Sequence, residues 1–333
     1  MYKRLRWFIV FLLLLTLVAA YLGGTAYWRW LLAPAEPTVT RRQRIVIPPG
    51  ATVTAVGQQL EREGVIRSGR AFAFLGKDRT IKPGTYDLSP SETPVGLLRR
   101  LEKGDVATNR VTFPEGFTLR QIAARLARQG LIADPETFLN LTTTRGGTFK
   151  ASFRPPANLE GYLFPDTYLF PVGDDDRRIA QRMLDNFDRL FSRGKADDIR
   201  DSGRTLSELV NVAAMVEREA ETEPDRATIA GVIYNRLARK MRLEIDATVQ
   251  YARGQHKNRL LFRDLEIDSP YNTYRVTGLP AGPICCPGLP SLEAALHPEK
   301  HDYLFYVARP DGSHAFSRTF AEHQRNIAEI RRK

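Results

Sequence analysis

Cysteine, clustered histidine and acidic residues are all scarce in this chain. Its 333 residues hold two cysteines, Cys285 and Cys286, and they are neighbours. Adjacent Cα atoms lie about 3.8 Å apart, shorter than an ordinary disulfide span. A disulfide framework is therefore excluded, and the pair reads as two thiols. The five histidines are scattered, with no HExxH and no CxxC, so zinc-ligand spacing is missing. Neither a metal nor a cofactor is expected. Acidic residues are outnumbered, 38 against 49 lysines and arginines, for a formal charge of +11. That balance favours an anionic partner such as nucleic acid, anionic lipid or an acidic cell-wall polymer. A basic proteome gives the same charge without any such partner.

The chain is long enough for two or three domains. Charge is absent from Trp7 to Trp28, a run of 22 residues, and about 20 suffice for a helix to span a bilayer. Trp7, Tyr27, Trp28 and Trp30 mark its ends, as an aromatic belt does. Lys3, Arg4 and Arg6 precede it, which orients residues 1–6 to the cytoplasm. A cleaved signal peptide is the competing reading, but its apolar region is normally 7–15 residues. A retained anchor at 7–28 is expected, with the rest of the chain outside the cytoplasmic membrane.

After a linker at 29–44 the chain repeats itself. IVIPPGATVTAVGQQLEREGVI begins at Ile45 and VTFPEGFTLRQIAARLARQGLI at Val111. Pro48 matches Pro114, Gly50 matches Gly116, Thr52 matches Thr118 and Gly64 matches Gly130. Each copy predicts a strand, a Pro/Gly turn, an N-capping Thr and an amphipathic helix ended by Gly. Between them, IKPGTYDLSPSETPVGLLRRLEKG predicts another strand, turn and helix, with Thr93 as cap. The unit looks like a LysM-type element, a module associated with N-acetylglucosamine-containing glycans; a packing scaffold is the alternative. Residues 134–156 show only a weak pattern. EGYLFPDTYLFP (160–171) reads as an irregular segment with buried rings, and 175–192 as a helix with a stripe of Ile179, Met183, Phe187 and Leu190.

The region from Val212 to Pro283 carries the chemistry. VAAMVEREA places Glu217 and Glu219 in a nearly apolar helix opened by a capping box of Thr205 and Glu208. Burying a carboxylate favours its protonated form, which is what a general acid for glycosidic cleavage requires. Successive residues turn by about 100°. Glu217 thus falls on the face of Leu206, Leu209, Val210 and Ala213, and Glu219 on another, beside Val212, Met215 and Val216. Helical geometry alone does not choose between them, and on burial it leans slightly to Glu217. Residues at i and i+2 point apart, so the two cannot flank one scissile bond as a glycosidase pair. A second carboxylate, if one is needed, is best supplied by Asp246. Downstream, Asp246, Thr248, Gln250 and Tyr251 alternate with apolar residues as one polar edge. SPYNTYRVTGLPAGPI adds Tyr271, Asn272, Thr273 and Tyr274, rings and amides suited to sugars. DYLFYVARPDGSHAFSRTF predicts a hairpin with a PDG turn before a last helix.

From about Arg44 to the C-terminus, and most specifically in 241–251, 271–280 and 291–298, the chain resembles the endolytic murein transglycosylase (MltG, YceG-like) family. The resemblance implies an α+β fold: one transmembrane helix, small LysM-like α/β subdomains at 45–104 and 105–157, and a larger mixed α+β catalytic domain at 158–333. It implies that the second Glu of E-x-E, Glu219, is the acid. Glu217, Asn235, Asp246, Thr248, Tyr251, Tyr271, Asn272, Thr273 and Tyr274 are then expected at the substrate, and His314 and Phe316 at the border of the cleft. Two departures stand out: Ala220 follows the acid where other lytic transglycosylases often have Ser, and Ala247 replaces the Pro of D-P-T-V-x-Y. The implied partners are peptidoglycan glycan strands, the bilayer and, as further candidates, peptidoglycan synthases, with no nucleic acid. The implied reaction is lytic transglycosylation. A non-catalytic wall-binding scaffold and a water-using muramidase remain the alternatives.

Overall fold

The computed structural model describes residues 2–254, 257 and 260–332; Met1 and Lys333, the outermost residues of the expected tail and catalytic region, lie outside them. The chain forms two compact units.

The first unit comprises residues 1–109 with 171–173. It opens with helix α1 (Tyr2–Leu31), one helix long and apolar enough to cross a membrane. Strand β1 (Gln43–Ile47) then alternates, with Ile45 and Ile47 buried and Val46 exposed, the period-2 signature of a one-sided strand. Helix α2 (Val53–Arg62) starts where the Thr52 side chain accepts from the Ala55 N–H, as the repeat predicted. It crosses α3 (Gly69–Leu75) at two glycines. A Cβ on Gly69 would sit 2.6 Å from the Gly57 carbonyl oxygen, so the crossing depends on their bare backbones. Strand β2 (Gly84–Leu88) pairs antiparallel with β1, Ile45 opposite Tyr86. Helix α4 (Pro94–Lys103), capped by Thr93, closes the core.

Strand β3 (Thr108–Thr112) carries the chain into the second unit. Helix α5 (Leu119–Arg128) opens with a full capping box of Thr118 and Gln121. Helix α6 (Pro135–Thr144) follows, in the stretch where the sequence showed only a weak pattern. Its signal was the start, Asp134 as N-cap and Pro135 at the first turn. Strand β4 (Thr167–Pro171) pairs with β3. Helix α7 (Asp176–Phe187) has the expected stripe to Phe187, then widens into one π turn, Asp188–Ser192. The wider turn shifts the register, so Phe191 is buried in place of Leu190. A short α8 (Ala196–Asp201) leads to α9 (Leu206–Glu219).

Helix α9 is the axis of the unit. Every residue from Leu209 to Val216 is buried, so it is surrounded instead of burying one stripe. Around it pack α10 (Asp225–Ala238), α11 (Asp246–Arg253) and α12 (Leu289–Leu296). Strands β5 (Phe305–Ala308) and β6 (His314–Ser317) form the predicted hairpin, Tyr306 opposite Phe316, and α13 (Phe320–Ile330) ends the fold. One apolar cluster runs from Val111 to Leu296, so the second repeat copy shares a core with α9. Together these elements make the mixed α+β architecture that the family resemblance implied.

Candidate active site

Glu219 is the last residue of α9, where the helix leaves the core. Its carboxylate is partly buried and accepts one side-chain hydrogen bond, from the Tyr306 hydroxyl at 3.1 Å. Burial pushes its pKa up, and the charge of Asp246 pushes the same way. The Tyr306 hydrogen bond, His314 and the Ala247 backbone oppose this, and burial wins. The carbonyl end of a helix also disfavours a negative charge.

An aromatic cluster and an Asp–His pair stand behind Tyr306. Its ring meets His314 edge-on at 5.6 Å. The His314 Nδ1 lies 2.9 Å from Asp225 Oδ2, which also accepts the His314 backbone N–H. Phe316 stacks on Tyr303 and contacts both Tyr306 and His314. The hairpin thus presents one hydroxyl to Glu219 from a packed aromatic base.

Asp246 opens α11 and accepts from the Tyr274 hydroxyl at 2.5 Å. Burial raises the Tyr274 pKa, and the bond to Asp246 raises it further, so the phenol stays a donor. The polar edge expected from alternation is a helix. Asp246 and Gln250 share a face at i and i+4, while Thr248 turns inward. Thr248, Asn272 and Thr273 are completely buried. Thr248 and Thr273 bond each other at 2.9 Å, and the Ile245 N–H donates to Thr273. Asn272 donates to the carbonyls of Leu265 and Ile267. These three residues, expected at the substrate, have no surface to offer it; they hold the 269–276 loop against α11 so that Tyr274 reaches Asp246.

Two other expected residues are committed elsewhere. Glu217 Oε2 accepts from the Gly288 N–H at 3.1 Å and the Ser291 hydroxyl at 2.7 Å, fixing the start of α12. Asn235 donates to the carbonyls of His301 and Tyr303. It lines a separate groove of about 940 Å³ with Arg204, Tyr234 and His297, and Glu219 is not part of that lining.

Tyr251 and Tyr271 pack with ring centroids 4.9 Å apart. The Tyr251 hydroxyl donates to Glu160 at 3.0 Å. Glu160 also accepts from the Leu119 N–H at the start of α5 and is approached by the Cys286 thiol. Burial raises its pKa from 4.5 to about 7. Cys285 and Cys286 are both free and buried, with pKa values pushed up by burial. Glu160 lines a cavity of about 430 Å³ together with Arg218, Ala247, Gln250 and Tyr251. Ala247 belongs to both this cavity and the surroundings of Glu219. Sequence reasoning missed Glu160 and Tyr306. A lone carboxylate at the head of the aromatic run 160–171 was a signal for the first; the hairpin register, which sets Tyr306 opposite Phe316, was one for the second. Among the described residues no cluster of three or more His, Cys, Asp or Glu side chains is arranged to hold a metal.

A sequence model of the YceG-like family matches residues 45–329. The endolytic murein transglycosylase of Bacillus subtilis (strain 168) is 37% identical over 324 residues, 91% of this chain and 89% of that protein. That of Streptococcus pneumoniae (serotype 2, strain D39) is 31% identical over 96% of this chain, which spans 64% of the pneumococcal protein's length. A crystal structure of a YceG-like protein from Listeria monocytogenes superposes with a TM-score of 0.59 at 34% identity, covering 86% of this chain and all of that one. With residues 45–329 matched and the Bacillus subtilis relative aligned over about nine-tenths of both chains, this chain belongs to the YceG-like family.

Proposed function

We propose that this protein is a membrane-anchored endolytic lytic transglycosylase that cleaves the MurNAc–GlcNAc β-1,4 bond of nascent peptidoglycan, with Glu219 as its one acid and base. The observation that carries the reading is the setting of Glu219: a desolvated carboxyl group at the surface end of the core helix, with one hydroxyl donor and a second carboxylate nearby. The names of the relatives, endolytic murein transglycosylase, give the reaction class.

Protonated Glu219 donates its proton to the bridging oxygen as the C1–O bond breaks. The GlcNAc side leaves with a free 4-hydroxyl. The muramyl C6 hydroxyl then adds to C1 and returns its proton to the Glu219 carboxylate, leaving a 1,6-anhydro end. Water takes no part. In this scheme Tyr306 orients the carboxylate, and the Asp246 charge adds to burial in raising the acid's affinity for its proton. Asp246, Tyr274, Tyr251 and Tyr271 are the expected residues that still suit contact with the sugar or its surroundings. The remaining organisation belongs to the same proposal: α1 as a single-pass anchor in the cytoplasmic membrane, the later residues on its outer side, the strand–helix repeats as glycan-contacting elements, and peptidoglycan synthases as partners.

The test is mass spectrometry of uncrosslinked peptidoglycan incubated with the protein. Anhydro ends are expected, lost in Glu219→Gln and retained at reduced yield in Glu217→Gln. Reducing ends point to a muramidase using Asp246 and water. No cleavage by the unaltered protein leaves a wall-binding scaffold.

A further inference from the structure

Helix α1 does not end in a free tether. The Trp28 ring meets Phe74 of α3 edge-on at 5.4 Å. The Arg67 guanidinium lies 4.8 Å over the Trp30 ring and donates to the Trp30 carbonyl at 2.8 Å and to that of Ala35 at 3.4 Å. Further on, the Glu36 N–H donates to the Pro90 carbonyl and the Ser89 hydroxyl to that of Val39. The segment after the apolar run is therefore fastened to the first unit along its length.

This fixes the depth of α3 relative to the apolar run. At 1.5 Å per residue, 22 residues extend about 33 Å, close to the roughly 30 Å of a hydrocarbon core. Trp28 then lies at the outer boundary, where tryptophan is favoured. A ring 5.4 Å from it lies at the headgroup level as well. Helix α3 buries Ala71 and Phe72 and turns Arg70 and Phe74, four residues apart, outward. Phe74 is 70% exposed. Exposed Lys77 follows, beside Asp78, and Arg29 adjoins Trp28. In a headgroup layer this ring is buried and the cations meet phosphate.

We propose that the outer face of α3, with Phe74 as its apolar point and Arg70 and Lys77 as its cations, rests in the headgroup layer of an anionic phospholipid bilayer and holds the first unit on the membrane surface. The proposal rests on reading α1 as a retained span.

The experiment uses the full chain in vesicles of phosphatidylcholine with phosphatidylglycerol, labelled with a thiol-reactive bimane at Phe74→Cys and, separately, at Leu17→Cys within the span. Cys285 and Cys286 are buried, and the unsubstituted protein serves as the labelling blank. Headgroup spin-labelled lipid is expected to quench the Phe74→Cys label at least threefold, and aqueous iodide to quench it weakly. Adding Arg70→Glu and Lys77→Glu is expected to reverse that order. Full iodide access at position 74 with deep-lipid quenching at position 17 overturns the surface contact and leaves the anchor standing. Absence of lipid quenching at position 17 overturns the anchor, and the proposal with it. Equal headgroup quenching in pure phosphatidylcholine overturns the assignment to anionic lipid.

Discussion

Glu160 makes the pH dependence of stability calculable. It is buried, and its proton affinity is raised from the ordinary 4.5 to about 7. The folded state therefore holds a proton that the unfolded chain has already released. That stabilisation is fully present below pH 4.5 and is lost as pH rises through about 7. At about 1.4 kcal/mol for each tenfold in affinity, some 2.5 kcal/mol disappears between pH 5 and pH 8. Other groups titrate in the same range, so the useful quantity is the comparison with Glu160→Gln. The amide imitates the protonated acid: its oxygen accepts the Leu119 N–H and its NH₂ faces the Tyr251 oxygen. The stability advantage of the variant over the unaltered protein should grow by about 2.5 kcal/mol between pH 5 and pH 8. Tryptophan fluorescence is blind to this, because all three tryptophans lie at or before residue 30. Urea titration of the full chain in detergent micelles, followed by far-ultraviolet circular dichroism, reads it. A stability difference between the two proteins that is the same at pH 5 and pH 8 refutes the argument.

Three further outcomes follow from the site. Tyr306→Phe removes a hydrogen bond that favours the charged form of Glu219, so the alkaline limb of the activity profile moves to higher pH while the rate falls about tenfold. Asp246→Asn removes a charge that favours the protonated form, so the same limb moves to lower pH; a shift in one direction for both variants contradicts the assignment. Glu217→Ala leaves the Gly288 N–H and the Ser291 hydroxyl without their acceptor and should lower thermal stability by about 1–3 kcal/mol, whereas Ser291→Ala lowers it by less.

Local signals carried the parts of the fold that are locally determined. Thr52, Thr93, Thr118 and Thr205 all cap the helices their positions predicted, because a cap is decided within four residues. The β5–β6 hairpin follows from its turn in the same way. Helix α6 was obscured by three consecutive threonines. Thr142 is nevertheless buried, its hydroxyl satisfied by the Phe138 carbonyl one turn back. In α11, eight residues are too few to separate a period of 2 from one of 3.6, so Thr248 was read with Asp246 when it faces the opposite way. Glu160 and Tyr306 carry local signals of position, but their pairing is not legible because the partners lie 91 and 87 residues away. No periodicity reports contacts at that separation.

The choice between the two glutamates shows where sequence geometry stops and packing decides. Two residues apart at a helix end, their side chains must diverge, so whatever packs on each side fixes their roles. On one side lies the start of α12, whose Gly288 N–H and Ser291 hydroxyl both occupy Glu217 Oε2. On the other lies the hairpin, which offers Glu219 a single phenol held well above its usual pKa by burial and by Glu219 itself. A carboxylate with two donors on one oxygen is tied to a structural task. One with a single side-chain donor beside the Ala247 backbone, a carboxylate neighbour and little solvent can take and release a proton without unlocking a helix. Exchanging those surroundings should exchange the roles. Removing the Glu219 carboxylate should therefore silence cleavage with the fold intact, while removing that of Glu217 should loosen α12 first and lower activity only as a consequence.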